Sequence, residues 1–201
     1  MENKLNLDRE AWLTEAGTFI LDDIIKPQMH QDWEPPTPVR FSVGFPPRST
    51  ARSNTIAVCI ASRASADGHC EIFVSPKMSD SLEILAALVH EQIHASDDCK
   101  SGHQHHFARL ARAVGLEGKL TATRAGDMLN RKLKQIVDIL GEIPHAAIDI
   151  DKAQKKQTTR MLKIACPDKQ CGFTFRTSQK NVNKITEWLC PACNIHDMSE
   201  V

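Results

Sequence analysis

Apolar positions recur at helical spacing in several long stretches of the chain and give way to short strand-like runs between them, a pattern that predicts an α+β fold. Leu5 to Met29 reads as a helix with Trp12, Phe19, Ile20 and Ile24 among its apolar positions, ended by Pro27 or by the cluster Pro35, Pro36 and Pro38. Val39 to Phe45 reads as a strand stopped by Pro46 and Pro47. Thr55 to Ala61 and His69 to Ser75 read as two more, joined by Ser65-Ala66-Asp67-Gly68, whose Asp-Gly pair signals a hairpin. A small, mostly antiparallel sheet is the expectation. Ser79, Asp80 and Glu83 then suit a helix start, and Leu82, Leu85, Ala86, Val89 and Ile93 follow at helical spacing. A helix from about His103 to Val114 would carry Phe107, Leu110, Ala111 and Val114 on one face, with Gly115 as its cap. Another, from about Ala125 to Leu140, ends at Gly141, and Glu142 to Arg160, with Pro144 and a Lys/Gln-rich run, reads as a linker.

Length adds a bound: 201 residues suit one domain, or one domain with a small appendage. The formal net charge is zero, so composition as a whole names no partner. Its distribution is more telling. Residues 152–201 hold nine basic side chains (Lys152, Lys155, Lys156, Arg160, Lys163, Lys169, Arg176, Lys180, Lys184) against four acidic ones (Asp168, Glu187, Asp197, Glu200), a surplus of five that the rest of the chain offsets. Met1 to Arg9 lacks the apolar run of a signal peptide and no stretch is long enough to span a bilayer, so an intracellular, cytoplasmic protein without a membrane partner is expected. Seven cysteines, four of them in two close pairs, favour metal over disulfides in a reducing compartment. The other three, Cys59, Cys70 and Cys99, read as buried or unremarkable thiols.

The chemistry concentrates in His90-Glu91-Gln92-Ile93-His94. Residues four apart on a helix lie one above the other, so His90 and His94 present two imidazoles on one face at a spacing that a single zinc ion accepts. Glu91 is offset by one residue, off the metal but within reach of a water beside it, where a carboxylate acts as general base. A catalytic zinc needs a third protein ligand and an open position. His103, His105 and His106 are candidates. His103 lies four residues before Phe107 and so shares the face that docks on the core; His105 points elsewhere; His106 is one residue off that face and stays an alternative. Asp97 and Asp98 read as a solvated turn, and His30, His69, His145 and His196 as structural or exposed.

Near the end of the chain, four residues separate Cys166 from Cys171 and two separate Cys190 from Cys193. Two such turns can close a tetrahedral four-thiolate site, a structural zinc that would hold a tail too small to build its own core. Gly172 and Asn194, each just after a pair, suit left-handed backbone, and Met161 to Ala165 and Phe173 to Thr177 read as ribbon strands. Basic residues with Phe173, Phe175 and Trp188 nearby suit either phosphate contact with base stacking, or a small core beside a solvated face.

These residues together resemble the SprT-like zinc metallopeptidases. The likeness rests on His90 to His94, then Gly102-His103 with Phe107 four beyond. It extends to Val43-Gly44-Phe45-Pro46, Glu71-Ile72-Phe73-Val74-Ser75-Pro76, Gly115-Leu116-Glu117-Gly118-Lys119 and Pro144-His145-Ala146-Ala147. Gln104 departs from it, since many members carry glycine directly after the third histidine. The resemblance implies a zincin-like protease domain over 1–145, a linker over 146–160 and a four-cysteine zinc ribbon over 161–201. It also implies a catalytic zinc on His90, His94 and His103 with Glu91 as base, and a structural zinc on Cys166, Cys171, Cys190 and Cys193. Its Spartan branch implies cleavage of proteins on or crosslinked to DNA, with the ribbon holding nucleic acid. Apart from that likeness, an exposed strand of the sheet, Thr55 to Ala61 or His69 to Ser75, suits an extended protein substrate added by main-chain pairing. The contrasting expectation is a nucleic-acid-binding or regulatory zinc protein whose protease-like site is unused.

Overall fold

The computed structural model describes residues 7–45, 54–153 and 161–201. The expected helix start at Leu5, the stop at Pro46 and Pro47, and linker residues 154–160 lie outside them. The chain divides into two compact units, Met1–Ala153 and Gln154–Val201, and both mix helices with small sheets.

In the first unit, α1 (Arg9–Phe19) begins where Asp8 accepts a hydrogen bond from the Ala11 amide at 2.8 Å, which caps one of the orphan donors of the first turn. It continues as a π-helix over Ile20–Ile25 and a 3-10 turn over Lys26–Gln28 that contains Pro27. The wider turns bring Ile20, Ile24 and Ile25 onto the core together.

Strands β1 (Val39–Val43), β2 (Ala57–Ile60) and β3 (Cys70–Val74) form a sheet in the order β1-β3-β2. β2 and β3 pair antiparallel, with Gly68 at φ +75° in their connection, as the Asp-Gly signal predicts. β1 runs parallel to β3. The sheet is therefore mixed rather than mostly antiparallel: alternation of side chains encodes which face is buried but not strand direction. Cys70, Ile72 and Val74 are buried, and Ile72 and Val74 join Trp12, Leu13, Leu85, Leu88, Phe107, Leu110 and Leu133 in one core.

Helix α2 (Ser81–Ala95) starts at Asp80, whose carboxylate accepts the Glu83 amide at 2.9 Å. It is buried almost all round, and Gln92 anchors it by donating to the Gly17 carbonyl at 3.0 Å. Gly17 is needed there, because a Cβ would stand 2.4 Å from the Phe41 ring. α3 (His105–Val114) ends at Gly115 in left-handed conformation, and α4 (Asp127–Leu140) ends at Gly141. Between them lies an antiparallel hairpin, β4 (Leu116–Lys119) and β5 (Ala122–Ala125), that the apolar pattern does not announce. Glu142 to Ile148, read from sequence as the start of a linker, lies against the first unit. The Glu142 carboxylate accepts from the Ser81 hydroxyl, Ile143 donates its amide to Ser81 Oγ, and Ile148 donates to the Pro76 carbonyl. A short helix, α5 (Ile150–Ala153), follows.

In the second unit, β6 (Met161–Ala165) pairs antiparallel with β7 (Thr174–Ser178) and with β8 (Ser199–Glu200), and a single turn of helix, α6 (Gln179–Val182), follows β7. Its core is small: Ile164, Cys166, Cys190 and Met198, with Phe173, Phe175 and Trp188 packed against them. Among the described residues no helix is long and apolar enough to cross a membrane.

Candidate metal centres

His90 and His94 stand one turn apart on α2, and the chain after α2 turns back to bring His103 beside them. The His103 Nε2 lies 3.3 Å from the Nε2 of each of the other two. Nitrogens about 2.0–2.1 Å from a tetrahedral zinc stand about 3.3 Å apart, so the three imidazoles fit that ion and leave one position open. The route to this arrangement differs from the one expected. α3 begins at His105 with Gln104 as its N-cap, so His103 belongs to the preceding turn and is not aligned with Phe107 by helical spacing. Phe107 meets the cluster nevertheless. Its buried ring stacks on His94 with centroids 4.4 Å apart and lies 4.7 Å from His90 and 5.0 Å from His103. His106 turns away, with Nε2 3.0 Å from Ser96 Oγ, and is outside the cluster; His105 is exposed.

His90 is held by a residue that sequence reasoning passed over. Its Nδ1 lies 2.7 Å from Thr123 Oγ1 on β5. With Nε2 turned to a metal, Nδ1 carries the proton and donates it to that hydroxyl, which sets ring orientation and tautomer together. Burial and the neighbouring imidazoles push His90 down to about 3 and His94 to about 4, keeping both neutral and able to ligate. Asp97 and Asp98 serve the backbone: Asp97 accepts the amides of Lys100 and Ser101, and Asp98 that of Ser62.

Glu91 is 8 % exposed. Burial raises its carboxyl to about 7, opposed by a backbone hydrogen bond from Cys59. It faces two adjoining cavities, of about 340 and 470 Å³. The first is lined by His90, His94, His103, Cys59, Cys99 and Gly102 among others; the second runs between Asn54–Ala57 and Thr121–Thr123. β2 is an edge strand of its sheet and borders both. β3 is central, with both edges occupied, so His69 to Ser75 is closed to an added strand. A separate apolar cavity of about 160 Å³, between α1 and Phe41, is lined by no imidazole, thiol or carboxylate.

In the second unit the four expected cysteines converge, their sulfurs all within 4.8 Å of one another. Cys166 and Cys193 stand 3.8 Å apart, and Cys171 and Cys190 3.7 Å. Zinc–sulfur bonds of about 2.3 Å place tetrahedral thiolates about 3.8 Å apart, so this group also fits zinc, without an open position. Gly172 (φ +61°) and Asn194 (φ +58°) take the left-handed turns expected of them. The amides of His196 and Ile195 hold Cys193 down to about 6, while burial pushes Cys166 up to about 12. Phe175 stacks on Trp188 with centroids 6.0 Å apart. Lys163 and Arg176, paired across β6 and β7, are exposed, and strand alternation puts Arg176 on the face opposite Phe175.

Compared with models of protein families, with curated proteins and with solved structures, the chain matches none.

Proposed function

We propose that the chain is a zinc-dependent endopeptidase of the SprT-like type, with a zincin-like first unit and a zinc ribbon as the second. One observation carries the reading: three imidazole nitrogens at tetrahedral spacing share a cavity with a buried carboxyl and an edge strand. His90, His94 and His103 hold the metal. Bound there, zinc supplies Lewis acidity toward a peptide carbonyl and lowers the pKa of water. Glu91 takes the proton of the attacking water and returns one to the leaving amine, from a buried position next to His90 on α2 that opens into the same cavity. Thr123 holds His90, and Phe107 backs all three imidazoles. An extended substrate adds to the outer edge of β2 by main-chain pairing, which places its backbone across the cavity floor of His90 and Glu91.

DNA-associated or DNA-crosslinked protein is the proposed substrate class. The basic surplus of residues 152–201 and the exposed Lys163 and Arg176 support phosphate contact by the ribbon. Phe175 and Trp188, engaged with each other, give base stacking less support. Seven unpaired thiols accord with a reducing, cytoplasmic setting. Glu91→Gln tests the assignment. Zinc content should stay at two ions per chain while cleavage of a DNA-bound protein is lost; cleavage that persists would remove Glu91 as the base.

A further inference from the structure

Three cysteines outside both metal centres converge beside the histidine cavity, and two of them form part of its wall. Cys59 lies on β2 and Cys70 on β3, and Cys99 lies between His94 and His103. The Cys99 Sγ is 3.3 Å from the Cys59 Sγ, and both residues line the cavity that holds Glu91 and the imidazoles. The backbone that delivers Cys99 is strained: Asp98 and Cys99 both have φ of +57°, in the left-handed region that L side chains avoid. It is held there from several sides. The Cys99 amide donates to the His94 carbonyl at 2.8 Å, Asp98 Oδ1 accepts the Ser62 amide at 2.8 Å, and the Cys70 thiol reaches the same oxygen at 3.4 Å. This turn sets the Cys99 sulfur against that of Cys59.

We propose that Cys59 and Cys99 are a redox-active dithiol, which a peroxide oxidises to an intramolecular disulfide tying the His94–His103 connection to β2. The Cys99 sulfur attacks hydrogen peroxide: an S–O bond forms, the O–O bond breaks, and the departing hydroxide takes up the thiol proton and leaves as water. Cys59 then attacks the Cys99 sulfenic acid: the S–S bond forms, the S–O bond breaks, and a second water leaves. The two thiols lose two electrons and two protons, and the peroxide takes up both to become two waters. Hydrogen bonds with Cys70 and Cys99, and then burial, push Cys59 up, so it attacks as it gives its proton to the departing hydroxide. The sulfurs need only close from 3.3 Å to about 2.05 Å. Cys70, lowered to about 7 by its hydrogen bond with Cys59, is fully buried, held by Thr37 and Asp98 and absent from the cavity lining, so it is left unbridged.

The test uses the full zinc-loaded chain and needs no substrate, so it is independent of the peptidase reading. The chain is treated with a small excess of hydrogen peroxide, residual thiols are alkylated, and the protein is digested without reductant for mass spectrometry. The expected product is a Cys59–Cys99 linked peptide, reversed by dithiothreitol, absent from Cys99→Ser and retained in Cys70→Ser. A sulfinic acid at Cys99 with Cys59 still alkylatable would overturn the proposal. So would a Cys59–Cys70 link, or bridges confined to Cys166, Cys171, Cys190 and Cys193; none of these readings depends on whether a variant folds.

Discussion

The threonine at position 123 shows how a metal-type site depends on a residue with no chemistry of its own. Thr123→Val keeps the shape but leaves the His90 Nδ1 proton without an acceptor in a half-buried place. Metal affinity of the histidine site should fall about 10- to 100-fold, read by chelator competition against an unchanged four-thiolate site. The histidines also make stability depend on pH in the metal-free protein. Their pKa values are depressed from 6.5 to about 3 and about 4, so between these limits the unfolded chain binds more protons than the folded one. The histidines' contribution is therefore complete above pH 6.5 and declines as the pH falls toward 4, offset in part by Glu91, whose raised carboxyl holds its proton in the folded chain from about 7 down to 4.5. Urea midpoints of the metal-free chain should drop over that range, and His90→Gln with His94→Gln should flatten the profile. At this scale the sequence named His90, Glu91 and His94 from spacing alone, because a helix converts spacing into direction. It did not name Thr123, since a lone threonine 33 residues from its partner gives no local signal.

At the scale of elements, what could be read followed burial. α2 was legible because its buried faces force apolar periodicity and Asp80 caps it. The β4–β5 hairpin was not, because seven of its eight residues are not buried and no alternation marks them. The start of α3 also moved: Gln104 takes extended backbone as N-cap, which turns His103 out of the helix and lets the preceding loop aim it. The helix-to-helix contact that orients the motif is tight enough to test. Gly17→Ala would put a methyl 2.4 Å from Phe41 and 3.0 Å from Gln92 Nε2. Overpacking of this kind should cost about 1–3 kcal/mol, seen as a lower urea midpoint, with metal affinity at the histidines weakened as α2 shifts.

The whole molecule has two units held by different forces. The first buries a core that runs from Trp12 to Ile143 and includes none of the three imidazoles. The second buries two aliphatic side chains and two of its four cysteines, so its order rests on what those sulfurs bind. Stripping metal with a strong chelator should collapse amide-exchange protection across β6 and β7 while α1, α2 and α4 stay protected. Equal loss in both units would contradict this division. The sequence by itself determined the helices and strands with a buried face, the two imidazoles and carboxylate on α2, and the four-cysteine group, because each of these is encoded in short-range spacing. Only the tertiary structure decided that His103 rather than His106 joins the imidazoles, that β1 runs parallel to β3, that Thr123 holds His90, and that Cys59 meets Cys99. Those are contacts between segments far apart in the chain, fixed by how loops return across the core, and no local period records them.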